Sequence, residues 1–320
     1  MSRSMIVVIP DLPEKHEAAI REAASRHGFD CRFFADTVPA LPFLGEAEII
    51  LGADACLTRN APKLRWICSH FAGVNQFLTE DAFAAPDALL TNSSGAYGVT
   101  IAEHVVMLLL EILRREPEYQ NHVRRRQWIR RLPVRSIYGS RITLLGTGDI
   151  GQETLKRLRS FEPRQIIGVN RSGRNPGSLF DRVLPAGDLD RILPETDLLI
   201  SSLPGTPETF HMISGPRLQR LPDGAVIINV GRGTVIDQTA LEAELRKGRL
   251  FAGLDVFETE PIPEDDSLWS CPGLILTPHV AGDTALPHTM DRIVELFLED
   301  LENYCAGRPL LRLVNRRKGY

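Results

Sequence analysis

No stretch of this 320-residue sequence is apolar for long enough to cross a bilayer. The best one, Val105 to Leu110, is closed off by Glu103 and Glu111, whereas a spanning helix needs about 20 consecutive apolar residues. Cysteine is scarce and scattered. Cys31, Cys56, Cys68, Cys271 and Cys305 are odd in number and form no C-x-x-C pair. A disulfide framework and a cysteine zinc site are both unsupported, so free thiols and no metal site are expected. An excess of basic charge is lacking too, because 37 Lys and Arg stand against 41 Asp and Glu, a net charge of −4. A general nucleic-acid binder is therefore not expected. The cluster Arg124, Arg125, Arg126, Arg130 and Arg131 is local and reads as a solvated arm. The opening MSRSMIVVIP has too short an apolar run for a secretory signal, and Ile6 to Ile9 reads as a first strand. Cytoplasmic residence is expected.

What is present begins with RITLLGTGDIG, Arg141 to Gly151. Ile142 to Leu145 read as a buried strand that breaks directly into Gly146-x-Gly148-x-x-Gly151. QETLKRLRSF follows with Leu155, Leu158 and Phe161 at helical spacing, and then a second apolar run, Gln165 to Asn170. Strand, glycine turn, helix and strand in this order suit a dinucleotide pyrophosphate. The first glycine allows the turn, the second lets backbone N–H groups approach the phosphates, and the third lets the helix lie on the sheet. Gly146, Gly148, Asp149, Ile150 and Gly151 are the expected surround.

Elsewhere, strands and helices alternate. Met5 to Pro10 reads as strand, Lys15 to His27 as helix, and CRFFA, EIILGA and LRWICSH as further strands. The strand ending at His70 opens into Phe71-Ala72-Gly73-Val74-Asn75, a small-residue turn whose N–H groups suit a carboxylate or simply make an ordinary β-to-α turn. A polar linker at Thr91 to Tyr97 feeds a helix to Arg115 that is apolar over much of its circumference. Such a helix crosses between domains or packs on a second subunit, and the second is the reading taken here. Residues 117–140 read as a basic, irregular arm. Beyond Asn170 come strands at DLLISSLP, GAVIINVG, FAGLDVF and GLILTPHV, with helices at Pro216 to Leu221 and LEAELRKGRL. The last segment, from Leu286, is an amphipathic helix expected to return to the N-terminal domain. The fold class is α/β, with two Rossmann-like or flavodoxin-like domains of parallel strands. Residues 1–92 and 283–320 would form the substrate domain, and the dinucleotide domain, 93–282, would be inserted into it, with the active site in the cleft.

Three polar stretches stand at the ends of strands in the second half: NVGRG with Arg232, DVFETEP with Asp255 and Glu260, and TPHVAG with His279. A 2-oxo acid needs a cation for its carboxylate, a proton donor for its carbonyl oxygen and a group that keeps the donor charged. Arg232, His279 and Glu260 fit these roles. Taken singly, His279 also fits a simple turn and Glu260 a solvated loop.

Together with Leu203-Pro204-x-Thr206-x-x-Thr209, INVGRGTVID, LDVFETEPIP and LTPHVAG, the glycine turn resembles the D-isomer-specific 2-hydroxyacid dehydrogenase family, in order and over nearly the whole chain. The resemblance implies an NAD(P)-dependent oxidoreductase acting on a CH–OH group, with Arg232, Glu260 and His279 catalytic. It implies that His279 protonates the oxygen while Glu260 orients it and favours its charged form. Arg232 would bind the carboxylate, helped by N–H groups of Ala72, Gly73 and Val74. The loops around Leu203, Pro204, Thr209 and Val230, with Asp255, would line the cofactor. An NAD enzyme usually ends its second strand in Asp or Glu, but here the strand ends Asn170-Arg171-Ser172, which favours NADP(H) with NAD(H) possible.

The resemblance further implies a homodimer through the Thr100 to Arg115 helix, and leaves room for Trp128 to reach a neighbouring subunit. The bulk at His70 and Phe71 departs from many relatives. The regulatory domain of some phosphoglycerate dehydrogenases is not expected. The expected activity is reduction of small 2-oxo acids such as glyoxylate or hydroxypyruvate. The rival reading is a dinucleotide-sensing binding protein of the same fold without turnover. A formate dehydrogenase would lack an acid at Glu260.

Overall fold

Met5, Ile6, Val7 and Val8 are buried on both faces of their strand, the pattern of a central parallel strand covered from two sides. The structure, a computed structural model, describes residues 3–282, 284 and 286–316. The chain divides into two compact units, Met1–Tyr97 with Thr284–Tyr320, and Gly98–Asp283, so that the second interrupts the first.

In the first unit β1 (Arg3–Val8), β2 (Phe29–Phe34), β3 (Ala47–Leu51), β4 (Trp66–Cys68) and β5 (Leu89–Thr91) are all parallel. Their order, β2-β1-β3-β4-β5, is the flavodoxin-like one. Strand alternation sends Met5 and Val7 to one face, with Ile20, Ala23 and Ala24 of the Glu14–Arg26 helix. Ile6 and Val8 go to the other, with Leu44, Leu57 and Phe77. The C-terminal helix Pro287–Cys305 returns to the first face, burying Met290, Val294, Phe297 and Leu301. Phe297 stacks on Trp66 at 5.4 Å, and the Trp66 indole N–H donates to Thr91 Oγ1 at 2.9 Å. Truncating Phe297 to Ala would cost about 3–5 kcal/mol.

The second unit holds β6 (Arg141–Leu145), β7 (Gln165–Asn170), β8 (Arg182–Pro185), β9 (Leu198–Ser201), β10 (Val226–Asn229), β11 (Phe251–Leu254) and β12 (Leu274–Leu276). All are parallel, in the order β12-β11-β10-β9-β6-β7-β8. The chain winds one way from β6 to β8 and the other way from β9 to β12. The reversal lies between β6 and β9, where open α/β sheets bind their ligands.

The apolar helix, Gly98–Arg114, packs within its own unit. It lies against the Asp149–Arg159 helix and against β10 and β11 of its own unit, burying Ile101, Val105, Leu108, Leu109 and Ile112. Gly253 makes the approach possible, because a Cβ there would come within 3.1 Å of Leu108 Cβ. The chain itself covers this helix, so its composition does not call for a second subunit. The arm differs from its expected course: residues Glu116–Arg124 are helical, and the irregular path starts after them. No helix among the described residues is long and apolar enough to cross a membrane.

Candidate active site

The glycine turn follows β6 directly. Gly146 has φ +102°, a conformation L side chains rarely adopt, and a Cβ there would stand 2.7 Å from Ser202 Oγ. A Cβ on Gly151 would overlap the carbonyl oxygen of Gly146, so the helix can start this close to the turn only with glycine there. Gly148 is the N-cap of the Asp149–Arg159 helix and offers no side-chain cap. The first N–H groups of a helix have no intrahelical acceptors, and with the helix dipole they form an anion site. The Asp149 carboxylate turns away from this role. A Cβ on Gly98 would overlap it, which places it at the start of the Gly98–Arg114 helix, where a negative charge is favourable.

At the end of β7, Asn170 is occupied by its own loop. Its Nδ2 donates to Thr147 Oγ1 and to the Arg174 carbonyl, each at 2.8 Å. Its Oδ1 accepts the N–H groups of Ser172 at 3.0 Å and Gly173 at 2.7 Å. Arg171 and Ser172 are exposed beside it. Thr209 is occupied in the same way: its Oγ1 donates to the Pro204 carbonyl at 2.6 Å and accepts the Thr206 N–H at 2.8 Å, closing the loop after Leu203. Gly231 lets this loop meet the one after β10, since a Cβ there would overlap the Leu203 backbone. Val230, just before it, is buried.

The ends of β10, β11 and β12 carry the three residues singled out for chemistry. Asn229 sets the first loop by accepting the Gly231 N–H and donating to the Arg232 carbonyl at 3.0 Å. Arg232 Nη1 donates to the Gly231 carbonyl at 2.7 Å. Burial pushes the Arg232 guanidinium below its usual value, and the Glu260 carboxylate works the other way. Glu260 is held by the Phe257 N–H, which donates to Oε1 at 2.8 Å, and its Oε2 stands 2.7 Å from Nδ1 of His279. The intervening loop is pinned by Glu258, whose Oε1 accepts the Gln238 N–H at 3.0 Å and lies 2.9 Å from His211 Nε2. His279 has φ +56°, a left-handed conformation that costs a bulky residue about 1–2 kcal/mol. Asp255, 1% exposed, holds it there. Its carbonyl accepts the His279 N–H and its carboxylate the N–H groups of Val280 and Ala281, all at 2.9 Å.

In the first unit, the turn after β4 is fixed from the segment after β5. Asn92 Nδ2 donates to the Ala72 carbonyl at 2.8 Å, and the Tyr97 hydroxyl to the His70 carbonyl at 2.7 Å. With those carbonyls engaged, Gly73 is half-buried and Val74 buried. Burial pushes the His70 imidazole down to about 4. Among the described residues no group of three or more His, Cys, Asp or Glu side chains is placed to hold a metal ion.

A doubly wound parallel sheet whose reversal point opens on a glycine turn is the architecture of a dinucleotide-dependent enzyme. Residues 106–281, more than half of the chain, match the family model described as D-isomer specific 2-hydroxyacid dehydrogenase, NAD binding domain. A glyoxylate reductase of Korarchaeum cryptofilum is 32% identical over 271 residues, 82% of this chain and 80% of that protein. The crystal structure of a D-isomer specific 2-hydroxyacid dehydrogenase family protein from Aeromonas salmonicida is 32% identical, with a TM-score of 0.87 over 99% of this chain and 100% of that one. An NADPH-dependent glyoxylate/hydroxypyruvate reductase from Sinorhizobium meliloti, solved with NADP and sulfate, is 27% identical with a TM-score of 0.83, over 99% of each chain. The chain belongs to the D-isomer-specific 2-hydroxyacid dehydrogenase family. It is accordingly an NAD(P)-dependent oxidoreductase acting on a CH–OH group.

Two pairs of residues escaped the reading of the sequence. His104 and Thr277 both reach Asp255, and Asn92 and Tyr97 shape the turn after β4. Thr277 stood inside the LTPHVAG motif, but nothing in the pattern assigned it a task.

Proposed function

We propose that the protein works mainly as a 2-oxoacid reductase on small acids such as glyoxylate or hydroxypyruvate, with NADP(H) favoured and NAD(H) possible. The observation that carries this is the anchored pair at the strand ends. Glu260 is fixed by the Phe257 N–H and faces His279 Nδ1 at 2.7 Å, beside the buried Arg232.

The residues present fit a dinucleotide. A Cβ on Gly148 would meet nothing within 4 Å, which leaves the uncapped helix start open to a pyrophosphate. N–H groups from Gly148 to Gly151 would hold that group. Arg171 and Ser172 would take a 2′-phosphate on the loop shaped by Asn170, and no carboxylate at that strand end repels it. The loops at Leu203 to Thr209 and at Val230, with Asp255 behind them, would take the nicotinamide side. When bound, the reduced cofactor supplies the hydride that reaches C2 of the oxo acid.

With a carboxylate on Nδ1, the His279 proton at that nitrogen is fixed and Nε2 is left for the substrate. His279 donates from Nε2 to the oxygen that becomes the hydroxyl, and Glu260 compensates the imidazolium from which that proton leaves. Arg232 binds the carboxylate and draws charge toward the carbonyl oxygen. The sequence stretch 93–282 is assigned to the cofactor. Residues 1–92 and 283–320 are assigned to the substrate, the N–H groups of Ala72, Gly73 and Val74 serving as carboxylate donors.

A homodimer is proposed from the arm. Trp128 is 87% exposed, and Ile129, Val134 and Tyr138 are exposed with it, an apolar grouping unusual for a solvated segment. Cytoplasmic residence belongs to the same reading. The test is loss of reduced-nicotinamide absorbance with NADPH and with NADH, against glyoxylate, hydroxypyruvate, pyruvate and longer oxo acids, for wild type and His279→Gln. Turnover of a small oxo acid that His279→Gln abolishes is the expected result. Nucleotide binding without turnover of any acid would overturn the reading in favour of a nucleotide sensor.

A further inference from the structure

A histidine in the middle of an apolar helix must find a partner or cost stability. His104 lies on the Gly98–Arg114 helix, with only 13% of its side chain exposed. Its Nε2 stands 2.9 Å from Thr277 Oγ1 and 3.7 Å from Asp255 Oδ1. Thr277 has one hydroxyl proton, and it goes to Asp255 Oδ1 at 2.6 Å. The hydroxyl can therefore only accept from His104, which fixes the proton on Nε2 of that imidazole. Burial pushes His104 below its ordinary value, with the Asp255 charge working the other way, so the imidazole is neutral near neutral pH.

The chain of bonds continues to the proton donor. Asp255 Oδ1 takes the Thr277 hydroxyl and the Val280 N–H, Oδ2 takes the Ala281 N–H, and its carbonyl takes the His279 N–H. Every backbone N–H from His279 to Ala281 thus ends on Asp255, and the left-handed His279 sits between them. A carboxylate with three donors on two oxygens can rotate only if one of them lets go, and His104 sets the direction in which Thr277 points.

We propose that His104 is a positioning residue for the proton donor, acting through Thr277 and Asp255 to hold the turn that presents His279. This rests on the assignment of His279 as that donor. A small displacement of a reacting group is costly: about 1 Å is worth roughly 100-fold in rate. Removing His104 leaves the peptide bonds of the turn in place and frees only the Thr277 hydroxyl, so a smaller loss is expected.

The test compares wild type with His104→Leu, His104→Gln, Thr277→Val and Thr277→Ser. Rates would be followed with NADPH and glyoxylate, and NADPH dissociation constants by nicotinamide fluorescence. For His104→Leu and Thr277→Val, kcat should fall about tenfold with KM and the NADPH constant within about twofold of wild type. The isotope effect from NADPH deuterated at the transferred position should rise, because chemistry becomes slower than product release. His104→Gln and Thr277→Ser should recover most of the rate, since each restores the lost donor or hydroxyl. Histidine labelled with 15N should show His104 as the Nε2–H tautomer, a readout independent of turnover.

A His104→Leu enzyme with kcat within twofold of wild type would overturn the proposal, as would an Nδ1–H tautomer or a His104→Gln variant as slow as His104→Leu. Should His104→Leu fail to fold, the Thr277 pair and the tautomer decide. Wild type without oxoacid turnover would sink the functional reading, and the tautomer would still test the bond chain.

Discussion

Replacing Glu260 by Gln keeps the shape of the side chain and removes its charge, and the geometry dictates how the new amide must sit. The Phe257 N–H donates to Oε1 at 2.8 Å, which only the amide oxygen can accept. The NH2 group is then turned toward Nδ1 of His279, 2.7 Å away in the wild type. Donor would face donor, so His279 must give up the Nδ1 proton and carry a neutral ring with its proton on Nε2. A charge-assisted hydrogen bond contributes about 1.5–3 kcal/mol. Glu260 and His279 have side chains 34% and 49% exposed, so solvent screening puts the loss at the low end. About 1.5–2 kcal/mol corresponds to roughly 10–30-fold in kcat. Arg232 keeps its place and its bond to the Gly231 carbonyl and loses only the support of a neighbouring charge, so KM for the oxo acid should stay within about twofold. Steady-state kinetics with saturating NADPH would read both constants. A Glu260→Gln enzyme with wild-type kcat, or with the whole loss in KM, would refute this account of the pair.

Three other outcomes are expected. Burial holds the His70 imidazole neutral down to about pH 4, whereas in the unfolded chain it takes up a proton below about 6.5. The depressed value means that its share of stability is complete above pH 6.5 and is lost as pH falls toward 4. Between neutral pH and 4.5 urea unfolding should report a loss of about 2.5 kcal/mol from this group, absent in His70→Phe; equal acid sensitivity in the two proteins would count against it. A Cβ on Gly233 would overlap the carbonyl of Phe257 and reach the Glu258 nitrogen, so Gly233→Ala should cost about 1–3 kcal/mol in the same assay and displace the loop that carries Glu260. Arg171→Ala should lower kcat/KM for NADPH about tenfold and leave NADH nearly unchanged; equal losses with both nucleotides would remove Arg171 from 2′-phosphate recognition.

The strands clearest in the sequence are the ones buried on two faces, such as β1, β6 and β10, because continuous apolar runs mark them. β5 and β8 were not legible. Both are edge strands, three and four residues long, and β8 carries Arg182 and Pro185 at exposed ends. Edges stay short and polar to avoid pairing with other chains, which removes the signal a reader looks for. The Glu116–Arg124 helix was missed for a related reason: it buries no residue, so no apolar period reveals it. The Gly98–Arg114 helix was seen, but its packing within its own unit was not. A helix covered by its own chain and one covered by a second copy have the same composition, so composition could not point to the Asp149–Arg159 helix, β10 and β11 as its neighbours.

At the site, the sequence showed which residues gather but not which part of each residue is free. Asn170, Thr209 and Asp255 stand at strand ends or in the loops beyond them; Asn170 and Thr209 spend their side chains on their own loops, and Asp255 spends its carboxylate on the turn after β12. Short polar side chains bind ligands and close turns with the same atoms, so residue type cannot separate the two uses. Asn170 offers the test. As a direct ligand group, Asn170→Asp would place at the end of β7 the carboxylate that NAD enzymes carry there, and preference should swing toward NADH. As the peg of its loop, the same change keeps the acceptor for the Ser172 and Gly173 N–H groups. It deletes both Nδ2 bonds, to Thr147 and to the Arg174 carbonyl, and sets a negative charge against that carbonyl. The loop bearing Arg171 then loosens, so affinity for both nucleotides should fall by about tenfold with little change in their ratio. Dissociation constants for NADPH and NADH measured on this single variant separate the two: a reversed preference with full NADH affinity would show that Asn170 faces the cofactor after all.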